Sequence, residues 1–207
     1  GLGLLALRDA APAIAGDRLA KARAIAETDR TPLGALVRLD IVLAQGDAAL
    51  AERDANRAHG LYLEALQLEP KRTALHGKIA AAHRMIGNFD AALASYERAL
   101  AGAAELDVLR AAVDTAIAAG DATRELQWGT DLLTKDPTDV RALVARGSAM
   151  LAQQPQAGIA LLEIAAARDD VDAHVALARA VLAADPARAA ASALAALRVA
   201  PHHARAR

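Results

Sequence analysis

The sequence predicts an all-α solenoid, a stack of about six helix–turn–helix units forming one continuous domain. Three observations carry this. A Gly-Asp or Gly-Asn pair recurs between Ala/Leu-rich stretches, at Gly16-Asp17, Gly46-Asp47, Gly87-Asn88 and Gly120-Asp121, with Ala184-Asp185 as a degenerate form and Gln153-Gln154-Pro155 filling the gap. The steps are 30, 41, 33, about 34 and about 30 residues. A recurrence of ~20–50 residues marks stacked repeats, and ~34 is the length of a helical pair. The chain is 55% hydrophobic but only 2% aromatic, so alanine and leucine supply the apolar character. Alanine is the best helix former, and small side chains let helices approach closely. Finally, no run alternates β-branched and aromatic residues in the period of a strand.

The expected units are 1–30, 31–72, 73–105, 106–138, 139–169 and 170–203. In the first, two helices meet at Gly16-Asp17. Its apolar Leu2, Leu4, Leu5 and Leu7 make a poor terminal cap, since stacked repeats need a polar one. Gly1–Leu7 lacks a basic flank and a full apolar stretch, so it does not read as a signal peptide.

The second unit opens at Thr31-Pro32, a capping side chain followed by a proline with no N–H to leave unpaired. Its expected turn is Gly46-Asp47. The 41-residue step to Gly87 leaves about seven extra residues, close to two helical turns. They belong either to an elongated helix Asp47–Leu68, with Glu52-Arg53-Asp54 on its solvent face, or to length drift between repeats.

The third unit is the best formed. Helices Ala74–Ile86 and Ala91–Ala101 flank a turn at Gly87-Asn88-Phe89-Asp90, where glycine tolerates positive φ. The fourth turns at Gly120-Asp121. Asp136-Pro137 is expected to cap and open the fifth unit, and Asp185-Pro186 the last helix. Pro201–Arg205 reads like the opening of another helix. With no initial methionine, a fragment of a longer protein is expected.

Gly87-x-Phe89-x-x-Ala92-Leu93-x-x-Tyr96-x-x-Ala99-Leu100 resembles the second half of a tetratricopeptide repeat (TPR). Tyr62-x-x-Ala65-Leu66-x-x-x-Pro70, Leu132-Leu133-x-x-x-Pro137 and Ala196-Leu197-x-x-x-Pro201 repeat its ending. Gly147 falls at the small position of a first helix. The usual Trp, Leu-Gly and Tyr of that helix are mostly Ala, His, Ile or Leu here, so the array is degenerate. The resemblance covers nearly the whole chain. It implies a right-handed superhelix whose concave face is lined by the first helix of each pair.

Signals for chemistry are sparse. There is no cysteine, which removes disulfides and thiolate ligands. His76 and His83 lie seven residues apart, about 10 Å along a helix, too far for one metal ion. His202-His203 point to different sides of any helix. Ser95, Ser148 and Ser192 are the only serines, and none stands in a nucleophile elbow. No phosphate-binding glycine loop is present; Gly1-Leu2-Gly3 alone carries no weight. No enzyme activity and no cofactor or metal is expected.

Function is therefore expected on the surface. Mapped on the TPR pattern, Arg84, Arg110, Asp114, Arg141 and Ser148 face the concave groove. Arginine there would pair with a carboxylate of an extended peptide, unless these are ordinary solvated charges on a helix face. The carboxylate-clamp subtype is not expected, because neither Asn56 nor Asn88 falls at its positions. Leu33, Leu36 and Leu43 suggest an apolar patch that either docks a partner helix or, as expected here, is buried by the neighbouring repeat. Trp128 reads as a gap filler rather than an interface anchor.

The net charge of -1 gives no field for nucleic acid or anionic lipid. Few aromatics argue against base stacking, and no apolar run reaches the ~20 residues of a membrane span. The expected function is a non-catalytic scaffold holding a protein or peptide partner. By resemblance, such bacterial arrays serve as assembly factors for secretion, pilus or exopolysaccharide systems. The alternative is the helical arm of a larger enzyme, a transferase or hydroxylase. Self-association through the repeat ends is a third reading. Bacterial cytoplasm and periplasm fit equally well.

Overall fold

The computed structural model describes residues 12–26, 28, 31–102 and 105–200. Eleven α-helices and no strand are found among the described residues. They are α1 (Pro12–Ala26), α2 (Pro32–Ala51), α3 (Ala55–Leu68), α4 (Ala74–Met85), α5 (Phe89–Leu100), α6 (Leu106–Ala119), α7 (Ala122–Lys135), α8 (Val140–Met150), α9 (Pro155–Ala166), α10 (Val171–Val181) and α11 (Pro186–Val199). The chain divides into two compact units, Gly1–Val108 and Leu109–Arg207. In the first, α1 packs on α2, α2 on α3, α3 on α4 and α4 on α5. In the second, α7 packs on α8, α8 on α9, α9 on α10 and α10 on α11, and α8 also touches α10. Contact between sequence neighbours, with first helices meeting across a pair, is the logic of stacked helical repeats.

Seven helix starts follow one chemical rule. Thr31, Asp54, Asn88, Asp121, Asp139, Asp170 and Asp185 each accept a hydrogen bond from the backbone N–H three residues on. An oxygen there satisfies one of the free donors of the first turn. Thr31-Pro32 and Asp185-Pro186 cap as expected. Asp136-Pro137 does not. Asp136 ends α7, and Asp139 caps α8, which opens at Val140.

Three first helices end alike. Asn88 N–H donates to His83 O at 3.0 Å, Asp121 N–H to Ala116 O at 3.0 Å and Asp54 N–H to Ala49 O at 2.8 Å. The residues before them, Gly87, Gly120 and Arg53, have φ of 75°, 71° and 64°. This is the left-handed helix ending in which glycine is cheapest. Glu52-Arg53-Asp54 is thus the turn of its repeat, with arginine in the glycine position.

The Gly-Asp rule fails at its two N-terminal instances. Gly16-Asp17 lies inside α1 and Gly46-Asp47 inside α2. The elongated helix over 47–68 is absent: α2 closes at Ala51, and Glu52-Arg53-Asp54 separates it from α3. The long element is α2 itself, with 20 residues against 12 in α4. Counted from Arg53, the step to Gly87 is 34 residues and the next, to Gly120, is 33, so the anomalous 41 disappears.

Gly46 is needed for packing. A Cβ on it would lie 2.5 Å from Cε1 of Tyr62, a fully buried side chain of α3. Gly147 of α8 and Gly158 of α9 form a second close crossing, as the small position expected at Gly147 implies. Tyr96, Leu132 and Leu162 are buried, and so are Ala92, Ala145 and Ala165, whose small side chains let helices lie close. Trp128 is only 4% exposed and fills the interior. Leu36 departs from expectation. It is 59% exposed, while Leu43 of the same patch is half-buried. The Leu33 side chain, the N-terminal leucines and His202-His203 lie outside the described residues.

Candidate functional site

An open cleft of about 720 Å³ lies in the second unit. From α6 it takes Arg110, Asp114, Ile117 and Ala118. Asp136, Thr138 and Asp139 come from the α7–α8 turn, and Val140, Arg141 and Val144 from α8. Asp170 and Asp172 close it at the start of α10. The walls are therefore the first helices of three consecutive pairs, brought side by side by the repeat stacking.

Its charges are held in place. Arg110 donates through Nε to Asp139 at 2.7 Å and through Nη2 to Asp136 at 3.0 Å. The Asp139 side chain is only 4% exposed. One of its oxygens takes Arg110, and the other caps α8 by accepting from Ala142 N–H at 3.2 Å. Asp136 accepts both from the Thr138 hydroxyl at 2.8 Å and from Thr138 N–H at 3.0 Å. Those bonds, with the Arg110 guanidinium beside it, hold its carboxyl below the usual range. Arg141 meets Asp114 at 3.1 Å. Just outside the cleft, Arg168 donates to the Thr138 carbonyl and ties the turn to the end of α9.

Of the residues expected in a groove, the structure gathers Arg110, Asp114 and Arg141 in this one cleft. Ser148 is half-buried on α8, two turns beyond Arg141, and does not line it. Arg84 is exposed near the end of α4, in the first unit. The sequence reading missed Asp136, Asp139, Asp170 and Asp172. A signal existed for two of them: Asp139 and Asp170 stand 31 residues apart, one repeat, and each caps a first helix.

In the first unit, Asp47 accepts from the Tyr62 hydroxyl at 2.7 Å and from Lys78 Nζ at 2.5 Å, while that ammonium lies 5.6 Å from the centre of the Tyr62 ring. Burial, first, and then the Asp47 carboxylate push the Tyr62 phenol well above its ordinary value. The His59 and His83 rings lie 4.5 Å apart, and His83 Nδ1 is buried without a partner among the described residues. Burial and then the neighbouring His59 lower the His83 pKa. No group of three or more His, Cys, Asp or Glu able to hold a metal ion occurs among the described residues. No described helix is long and apolar enough to cross a membrane.

No family model matches the chain, and no curated protein sequence matches it. Solved structures do. The pilF protein of Pseudomonas aeruginosa superposes with a TM-score of 0.73 at 13% identity, covering 99% of this chain and 91% of that one. A tetratricopeptide repeat protein from Parabacteroides merdae gives 0.67 at 18% identity, covering 79% and 67%. YrrB, a TPR protein, gives 0.65 at 14% identity, covering 80% and 88%. The fold is that of tetratricopeptide repeats.

Proposed function

We propose that this chain is a non-catalytic protein–protein interaction module, and that the cleft between α6, α8 and α10 receives an extended peptide segment of its partner. The observation that carries the reading is the cleft itself: a concavity of about 720 Å³ whose polar groups are already fixed by ion pairs and caps. A ligand that enters it orders little of the protein. Since immobilising side chains costs ~0.5–1.5 kcal/mol each on binding, a preformed surface favours association. The apolar Ile117, Val140 and Val144 offer area to bury, and the charges around them set orientation. YrrB, which shares the fold, is described as having an unusual peptide-binding site.

The test is steric. Ala118 is exposed and lines the cleft, so Ala118→Trp fills the space without altering charge. Peptides selected from a randomised display library on the wild-type chain should bind this variant at least about tenfold more weakly, with helicity unchanged by circular dichroism. Equal binding to both proteins, or no peptide recovered at all, would count against the module.

A further inference from the structure

We infer that the ligand of this cleft is cationic: an extended segment presenting lysine or arginine beside apolar residues. The inference rests on the peptide-binding reading above and names its ligand class. Five aspartates line the cleft against two arginines, a local excess of three negative charges in a chain whose net charge is only -1. The acidity is therefore concentrated in this cleft. Focused charge in a walled cleft attracts ligands of opposite sign and repels those of its own.

The cleft already displays how it holds such a group. Two carboxylates grip the Arg110 guanidinium from the α7–α8 turn, at 2.7 and 3.0 Å, and a third meets Arg141 from α6. Ile117, Val140 and Val144 stand among these carboxylates. Apolar side chains interspersed with carboxylates suit lysine and arginine, whose methylene stems lie along apolar surface while their charged heads reach polar groups. An acidic ligand would have to displace Asp136 and Asp139 from Arg110, or Asp114 from Arg141, before gaining any ion pair of its own.

The experiment uses the peptide pool selected on the wild-type chain. The enriched peptides should carry more Lys and Arg than the starting library. An enriched peptide should weaken at least about tenfold between ~50 and ~500 mM salt, since exposed charges are screened. It should weaken by a similar factor against Asp114→Asn/Asp172→Asn, a variant that spares the buried capping carboxylate of Asp139. Single Asp172→Asn, at an exposed position, should show part of the same loss if the double variant proves unstable. A pool enriched in acidic or neutral peptides that Ala118→Trp still excludes would overturn the cationic ligand and leave the binding module standing. Basic peptides insensitive to salt and to both aspartate variants would also overturn it. A pool with no enrichment of any kind would overturn both readings.

Discussion

The Cβ that Gly158 lacks would lie 2.6 Å from the carbonyl oxygen of Gly147. The neighbour is backbone, so it cannot swing aside, and a Cβ on Gly147 would in turn meet Leu162 at 2.9 Å. The two glycines thus set the closeness of α8 and α9, and through it the position of Val140, Arg141 and Val144 in the cleft. Gly158→Ala should destabilise the chain by about 3 kcal/mol, the upper range for overpacking. Gly60→Ala is the matched control. It lies inside α3 with nothing within 4 Å of its added Cβ, so it should stabilise by about 0.5–1 kcal/mol. Chemical denaturation of both variants reads the two signs.

Gly46 and Tyr62 make the same argument in the first unit. Gly46→Ala should cost about 1–3 kcal/mol, because the ring it meets is itself pinned by Asp47. Tyr62→Phe removes the hydroxyl that donates to that carboxylate and should cost about 1.5 kcal/mol, the low end for a bond to a charged group. An unchanged denaturation midpoint for Tyr62→Phe would argue that the bond is absent in solution.

These glycines also explain what the sequence could and could not convey. Gly87-Asn88 and Gly120-Asp121 are turns because a left-handed residue precedes a capping side chain. Gly46-Asp47 has the same letters, but its glycine makes room for a ring 16 residues later. Nothing local separates the two cases. The true turn, Arg53-Asp54, was hidden because arginine occupies the left-handed position, where glycine would be expected. The groove residues were legible only in part. Arg110 could be placed on a first helix, whereas its partners lie 26 and 29 residues away, beyond any local pattern. Reading Asp139 and Asp170 as one recurring position would have exposed the acidic lining.

Asp139 serves two roles, cap and ion-pair partner, whereas for Asp170 the bond to Ala173 N–H at 2.8 Å is the cap alone. Asp170→Ala should cost about 1 kcal/mol, the usual value of a cap. Asp139→Ala should cost about 2 kcal/mol or more, since it also strips a part-buried guanidinium of a charged partner. Equal losses would mean the Arg110 pair adds nothing to stability.

The histidines set a pH dependence. Burial keeps the folded-state pKa of His83 below 6.5, with His59 adding to the effect, and burial with Arg98 does the same for His76. The unfolded chain then binds protons that the folded chain refuses. Stability is therefore fully present above about pH 6.5 and falls as pH drops through that value toward the lower folded pKa. The denaturation midpoint should decline between about pH 7 and pH 5, and His83→Gln should decline less steeply. Parallel slopes would remove His83 as a cause.

The most direct test of the account is an amide NMR titration of the chain with a peptide from the selected pool. The account predicts shifts concentrated at Arg110–Ala118, at the turn from Asp136 to Val144, and at Asp170 and Asp172, and lost in Ala118→Trp. Shifts confined to the first unit, or to α9 and α11 away from these residues, would contradict the assignment of the cleft as the binding site.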